Sequence, residues 1–230
     1  MGGSSSSILF RLSGITDLEC ESMAREMPAD FMDQVQRSLE SAWEHEGKGY
    51  KDGDWGAVYM ESLARPCLGA GLAVACTLGE PSGGFRPEVS AYVRHRDQMH
   101  SPEQALDFLA IDASALTPVL GAEIEWKADQ TTKYVEEDAK ILRDVWGEPQ
   151  VPEKGHVVAA LYDLGRLLMV NPPYMVLEVY PPADGVGLLK AAVERMYRRA
   201  DLHRRMGELL LSISRGPEFI RLGSRNAAKH

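Results

Sequence analysis

Long apolar runs are absent from this 230-residue sequence, and cysteine is scarce. No apolar stretch approaches the roughly 20 residues that a bilayer-spanning helix needs, so the sequence predicts no membrane partner. The three cysteines, Cys20, Cys67 and Cys76, form no Cys-x-x-Cys pair, which argues against a structural zinc site and a secreted disulfide framework. Residues 1–28 open on Met-Gly-Gly and four serines, without the basic start and apolar core of a signal peptide. We interpret this segment as a flexible leader and predict a cytoplasmic protein.

Several catalytic signatures are also missing. The sequence contains no phosphate-binding Walker loop and no Gly-x-Ser-x-Gly motif, and its six histidines do not follow a metal-ligand spacing. His156 is interpreted as structural, as isolated histidines usually are. These absences argue against P-loop nucleotide hydrolysis, against the serine hydrolases that carry this motif and against a histidine-based metal centre.

The charge of the chain is unevenly distributed. The formal net charge is −9, which argues against a general nucleic-acid binder. Residues 190–230, however, contain ten basic and four acidic side chains, a balance of +6, so the other 189 residues carry −15. The predicted organisation is therefore an α/β core over residues 29–184 and a basic, helical region over 185–230. The basic region is either a phosphate-binding surface or a solvated helix face.

Periodicity predicts alternating helices and strands. Apolar residues at helical spacing predict helices over 30–46, 55–64 (stopping before Pro66), 131–146 and 186–206. Short apolar or alternating runs predict strands over 72–78, 85–94, 106–112, 119–127, 156–162 and 174–180. The tight link after 112 makes strands 106–112 and 119–127 antiparallel, and the step from 119 to 161 is long enough for a parallel crossover. The expected fold class is α/β, a mixed sheet flanked by helices.

The strand pair at 106–127 concentrates charged residues on one face. Side chains two apart on a strand point the same way, so Glu123, Glu125 and Lys127 share a face, while Ala122, Ile124 and Trp126 fill the other. Asp107 begins the neighbouring strand. An ordinary half-exposed strand with cross-strand ion pairs is one interpretation. The other is a metal site, because carboxylates and an ammonium group would converge.

Carboxylate oxygens are the ligands that Mg²⁺ prefers. Asp107 and Glu125 are the candidate ligands, with the carbonyl of Trp126 as a third. Such an ion lowers the pKa of a bound water and stabilises charge on a phosphoryl transition state. Lys127 would then orient the attacking water or stabilise the pentacoordinate phosphate.

Residues 107–162 resemble the core of the PD-(D/E)xK nuclease superfamily. An acid at the start of one strand, Asp107, is followed by a hairpin and a hydrophobic strand ending in Glu-x-Lys, Glu125 to Lys127, and then by a helix and a strand. The resemblance implies a restriction-endonuclease-like fold in which Asp107, Glu125 and Lys127 are catalytic and the two acids bind Mg²⁺, with Mn²⁺ as an alternative. No proline precedes Asp107, whereas Pro87 precedes Glu88, so Glu88 is a rival first acid.

Other residues are weaker candidates for the same site. Asp112 is a further rival first acid, although it ends its strand and is expected to begin the turn. The resemblance also suggests an assisting polar residue, Gln130, and an acid from the first helix, Glu40 or Glu44.

The sequence therefore predicts a metal-dependent hydrolase that cleaves nucleic acid, with DNA as the preferred substrate over RNA. Phosphate contacts would come from arginines of the C-terminal helix, which contribute affinity without base recognition: Arg195, Arg198, Arg199, Arg204 and Arg205. The alternative is a catalytically inactive nuclease-like fold that binds a protein partner, as an adaptor or immunity-type module. A homodimer is compatible with either function.

Overall fold

The computed structural model describes residues 26–46, 55–76, 106–125, 135–144, 147, 155–214 and 218–223. Its helices are α1 (Phe31–Glu46), α2 (Trp55–Gly69), α3 (Val135–Asp144), α4 (Gly155–Val170) and α5 (Val186–His203), with a short 3₁₀ turn at Ala183–Gly185. Its strands are β1 (Ala73–Cys76), β2 (Phe108–Asp112), β3 (Thr117–Glu125), β4 (Tyr174–Val179), β5 (Glu208–Ile213) and β6 (Glu218–Leu222). The predicted strand at 85–94 lies outside the described residues.

The six strands form one mixed sheet in the order β1-β2-β3-β4-β5-β6. β1, β2 and β3 pair antiparallel, β3, β4 and β5 pair parallel, and β6 returns antiparallel to β5. The predicted antiparallel pairing of β2 with β3 is confirmed. We use the name amino edge for the end of the sheet at which the parallel strands β3, β4 and β5 begin. The carboxyl edge is the opposite end, at which these three strands finish.

Helices cover both faces of the sheet, which confirms the α/β class. On one face, α1 and α2 pack on the even-numbered side chains of β3, including Leu120 and Ala122. On the other face, α3, α4 and α5 pack on Met175 and Leu177 of β4 and on the odd-numbered side chains of β5. Because successive side chains of a strand point to opposite faces, the strands contribute side chains to two separate cores. Glu123 and Glu125 belong to the face that α4 covers.

Helices α1 and α5 follow the predicted apolar stripes. Phe31, Val35 and Leu39 are buried along α1, and Leu189 and Val193 are among the buried residues of α5. The apolar side chains recur every three or four residues, so they form one stripe that faces the sheet. The described part of the predicted helix at 131–146 is α3.

The predicted strand at 156–162 is wrong, because these residues lie in the helix α4. Nine of the 16 residues of α4 are buried, from His156 to Leu168. A helix that is buried around most of its circumference has an apolar run instead of a one-sided stripe, and such a run resembles a buried strand. The parallel crossover from β3 therefore passes through α3 and α4 and ends at β4, not at residue 161.

The predicted end of the second helix before Pro66 is also wrong, because α2 continues through Pro66 to Gly69. A proline inside a helix removes one backbone hydrogen bond. Here Pro66 lies in the last turn, between Leu63 and Cys67, which are both fully buried. Their burial in the core offsets the lost bond.

The sequence predicted a helical C-terminal region, but the structure also has two strands there. After α5, residues 208–213 and 218–222 form β5 and β6 of the same sheet. The predicted boundary between residues 184 and 185 therefore falls within one continuous sheet. The third strand likewise begins at Thr117, within the predicted loop.

Close backbone contact joins the starts of β4 and β5. A Cβ atom on Gly207 would lie 2.0 Å from the carbonyl oxygen of Pro172, so only glycine fits there. Glu208 N–H donates to the carbonyl of Pro173, and the Tyr197 hydroxyl donates to the carbonyl of Gly207 at 2.6 Å. The loop before β5 is thus held against the amino edge. Among the described helices, none combines the length and the apolar character needed to span a bilayer.

Candidate functional site

The acid that precedes β2 lies against the end of β3. Antiparallel pairing of Phe108 with Ala122 places Asp107 beside the last residues of β3. Asp107 Oδ2 accepts the backbone N–H of Ile124 at 2.9 Å, and its carboxyl shares a hydrogen bond with Glu123. The sheet register therefore brings Asp107 to the carboxyl edge near Glu125. Lys127 and Trp126 lie outside the described residues.

Helix α4 adds two side chains that the sequence did not predict for the site. Arg166 Nη1 donates to Glu123 Oε2 at 3.2 Å and lies 3.5 Å from Asp163 Oδ1. Arg166 Nε is also 3.2 Å from Glu123 Oε1, but the two atoms are not aligned for a hydrogen bond. The Glu123 side chain is fully buried. We call Asp107, Glu123, Glu125 and Asp163, together with Arg166, the carboxylate cluster.

The electrostatics tie the members of this cluster together. Burial, and then the negative charges of Asp163 and Asp107, raise the pKa of Glu123, and the Arg166 guanidinium only partly opposes the rise. Burial, and then the charges of Glu125 and Asp107, raise the pKa of Asp163. Asp107 and Glu125 thus both act on Asp163. The Arg166 guanidinium opposes both rises only in part, so the folded protein favours the protonated forms of Glu123 and Asp163.

The donor set of the cluster fits a hard divalent ion in its chemistry. Carboxylate oxygens suit Mg²⁺, and Asp107 and Glu125 would be the residues to hold it. Within the described ranges, no group of three or more His, Cys, Asp or Glu side chains is placed to hold a metal ion. A further ligand would come from water, from substrate oxygens or from residues outside these ranges.

The rival acids do not join the cluster where they are described. Asp112 begins the β2–β3 turn as expected, because its Oδ1 accepts the backbone N–H and the hydroxyl of Ser114 at 2.9 and 2.6 Å. Glu40 accepts a hydrogen bond from Gln36 at 2.8 Å on α1, which covers the opposite face of the sheet. Glu88, Gln130 and the side chain of Glu44 lie outside the described residues.

A shallow surface depression lies beside Glu125 at the carboxyl edge. Its walls are Glu125, His156, Val179, Tyr180, Pro181 and Leu189. His156 begins α4 rather than a strand, and its ring packs so closely on Gly185 that a Cβ there would lie 2.3 Å from Nε2. The imidazole therefore helps to pack α4 against the 3₁₀ turn, as its predicted structural role requires.

The predicted phosphate-binding arginines are spread along α5. Arg198 forms an ion pair with Glu194, Arg199 donates to the carbonyl of Gly147, and Arg195 also has an interaction partner. Among the described residues, Arg204 and Arg205 form no ion pair, and both are exposed. These two arginines follow the end of α5, at the amino edge. They therefore lie at the end of the parallel strands opposite to the end near which Asp107 and Glu125 lie.

A second buried carboxyl lies on the other face of the sheet. Glu178 of β4 is 2% exposed and accepts a hydrogen bond from the Ser214 hydroxyl, which in turn lies 3.5 Å from the Tyr59 hydroxyl. Burial raises the pKa of Glu178 to about 8, although hydrogen bonds from Ser212, Ser214 and Tyr59 oppose the rise. The strand pattern alone indicated an apolar β4, so this network was not predicted.

The side chains that were missed share one sequence signal. Asp163 and Arg166 are three residues apart, which places them on one face only if residues 155–170 are helical. Because residues 156–162 were predicted to form a strand, this common face was not recognised.

Comparison with models of known protein families, with curated proteins and with solved structures finds no match to this chain.

Proposed function

We propose that this protein is a metal-dependent phosphodiesterase that hydrolyses nucleic acid, DNA before RNA, on a restriction-endonuclease-like fold. The observation that supports the proposal is the position of Asp107, which the pairing of Phe108 with Ala122 and the hydrogen bond from Ile124 N–H hold beside the end of β3, where Glu125 lies. Ligands of open α/β sheets commonly bind outside the carboxyl ends of parallel strands, and this cluster lies beside that edge.

The order of the elements also supports a nuclease-like core. A helical layer precedes three antiparallel strands, and a helical crossover then leads to a parallel strand in the order β1-β2-β3-β4. β4 takes the place of the strand that the resemblance requires after the helix. The added helix α4 contributes Asp163 and Arg166 to the same face, so the core departs from the simplest form of the pattern.

The proposed roles follow from the chemistry of each group. Asp107 and Glu125 hold Mg²⁺ or Mn²⁺, which supplies charge stabilisation to the phosphoryl group and lowers the pKa of a water. Lys127, two residues beyond Glu125, orients that water. Asp107 is held in place by the N–H of Ile124, and Arg166 limits the repulsion between Glu123 and Asp163.

The test compares Lys127→Ala with Lys140→Ala, a control at an exposed lysine of α3 that forms an ion pair with Asp144. Cleavage of plasmid, single-stranded DNA and RNA is measured with Mg²⁺, Mn²⁺ or a chelator. We expect metal-dependent cleavage that falls at least about 100-fold in Lys127→Ala and persists in Lys140→Ala, because positioned proton-transfer groups contribute about 10² to 10⁴ in rate. Equal cleavage by both variants, or cleavage that survives chelation, would contradict the proposal.

A second candidate function is a non-enzymatic protein-interaction module on the same fold. The observation that favours it is Arg166, whose guanidinium occupies the space between Glu123 and Asp163 and compensates part of their charge. In this case the cluster stabilises the packing of α4 on β3 and needs no metal. Calorimetric titration with Mg²⁺ and Mn²⁺ separates the two functions, since only the first predicts binding that is lost in Asp107→Asn.

A further inference from the structure

Exposed aliphatic side chains gather at the amino edge, opposite the carboxylate cluster. Six large hydrophobic side chains are exposed among the described residues, and four of them lie at this edge. Leu116 (79% exposed) lies in the β2–β3 turn, Met169 (59%) and Val170 (40%) end α4, and Leu202 (85%) lies near the end of α5. The β2–β3 turn and the ends of α4 and α5 therefore each present an aliphatic side chain to water at the amino edge.

The same edge carries Arg204 and Arg205, which form no ion pair among the described residues. Arg204 and Arg205 follow Leu202 directly, and the backbone carbonyl of Arg205 accepts a hydrogen bond from Asn171, the residue after α4. The ends of α4 and α5 are thus joined. We call Leu116, Met169, Val170, Leu202, Arg204 and Arg205 the amino-edge patch.

We propose that the amino-edge patch docks on the surface of an anionic lipid bilayer. Arginines beside aliphatic groups are the combination that peripheral membrane contacts use: the cations attract acidic headgroups while the aliphatic tips enter the boundary with the acyl chains. Such a contact lies on the membrane and does not cross it. It is independent of the proposed hydrolytic function, because it uses the opposite edge of the sheet.

The shape and chemistry of the patch distinguish this partner from two others. Leu116 and Leu202 protrude, so a rigid protein partner would need a matching cavity for each, whereas a bilayer boundary deforms around them. A nucleic acid would satisfy Arg204 and Arg205 but would leave the aliphatic tips against charged phosphates. Lipid is the partner that uses both halves of the patch.

The acidic body of the protein does not prevent this contact. At physiological salt the Debye length is about 8 Å, so charges well beyond that distance are largely screened. Asp107 and Glu125 lie at the other end of the parallel strands, and the nine residues of β3 span about 30 Å. Residues 201–206, which carry both arginines, contain one acidic side chain, Asp201, so their local charge is positive even though the whole chain carries −9.

The experiment is sedimentation of the full chain with phosphatidylcholine vesicles that contain or lack about one-third phosphatidylserine, with circular dichroism to verify that each variant is folded. We expect binding to the anionic vesicles only, weakened by high salt. Each basic residue near such a surface contributes about a fivefold gain in partition, so Arg204→Gln and Arg205→Gln should each lose about fivefold. The control Arg37→Gln removes an exposed charge from α1, on the other face of the sheet, and should bind as the wild type does.

Two variants on α5 form a matched pair that tests the aliphatic side chains of the patch. Leu202→Ser should lower vesicle binding about tenfold, and Leu188→Ser, at the opposite end of α5, should leave it unchanged. Three results would each overturn the proposal: no binding to anionic vesicles, equal binding to neutral vesicles, or full binding by Leu202→Ser. Loss of DNA binding in Arg204→Gln, with vesicle binding intact, would likewise assign the arginines to phosphodiesters and overturn it.

Discussion

The buried carboxyl of Glu178 predicts that the stability of this protein falls as the pH rises from about 4.5 to about 8. In the unfolded chain this carboxyl loses its proton near pH 4.5, whereas the folded protein retains it up to about pH 8, because the charged form is desolvated in the core. Between these values the folded state binds more protons than the unfolded state, so the free energy of unfolding decreases with pH. The full loss is about 5 kcal/mol, which is comparable to the whole stability of many domains.

Replacement of Glu178 with Gln tests this reasoning. Glutamine is neutral and keeps an oxygen that accepts the Ser214 hydroxyl, so it imitates the protonated carboxyl. The variant and the wild type should be about equally stable at pH 5, and the variant should be more stable by about 4 kcal/mol at pH 8. Urea unfolding followed by far-ultraviolet circular dichroism at fixed salt measures the difference, which corresponds to a shift in midpoint of about 1.5 M.

The comparison isolates one group, because Glu123 and Asp163 are present in both proteins and contribute equally to their pH dependence. Glu136→Gln, which removes a carboxyl from an exposed position of α3, serves as the control and should follow the wild type at every pH. If the stabilities of Glu178→Gln and wild type run parallel from pH 5 to pH 8, the desolvation argument for Glu178 is refuted.

Two further sites give predictions that the same unfolding measurement can check. Arg166→Met should destabilise the fold by about 1–3 kcal/mol, because it leaves the buried Glu123 Oε2 without its hydrogen-bond donor. An Arg166→Met variant as stable as the wild type would show that this contact does not stabilise the fold. Gly207→Ala should cost about 3 kcal/mol because its Cβ would meet the Pro172 carbonyl. Gly187→Ala, where a Cβ meets no atom within 4 Å, should gain about 0.5–1 kcal/mol through helix propensity. Equal effects of the two glycine replacements would contradict this account.

The helices that the sequence predicted well are those with one buried face. α1 and α5 have a single apolar stripe, so their periodicity is visible without the structure. β3 is buried on both faces, but its acidic residues alternate with apolar ones, so it was also recognised as a strand. α4 was predicted as a strand because burial on most sides removes the stripe that identifies a helix. β5 and β6 were missed because the basic charge of residues 185–230 suggested a single helical region, although Leu209, Leu210 and Leu211 form a short apolar run.

The carboxylate cluster was predicted only in part, for a related reason. Asp107 and Glu125 are neighbours through one short hairpin, so local register suffices to bring them together. Asp163 and Arg166 reach the cluster through a long crossover, and their common face exists only on a helix. The Glu178 network is less visible still, because Tyr59 and Ser214 are 155 residues apart.

The positions of four side chains also separate charge along the strands. Among the described residues, Arg204 and Arg205 lie at the amino edge, and Asp107 and Glu125 lie at the carboxyl edge. In the field above an anionic plane, this separation favours the orientation in which the two arginines face the plane. In that orientation the carboxyl edge faces away from the plane and remains open to the surrounding solution.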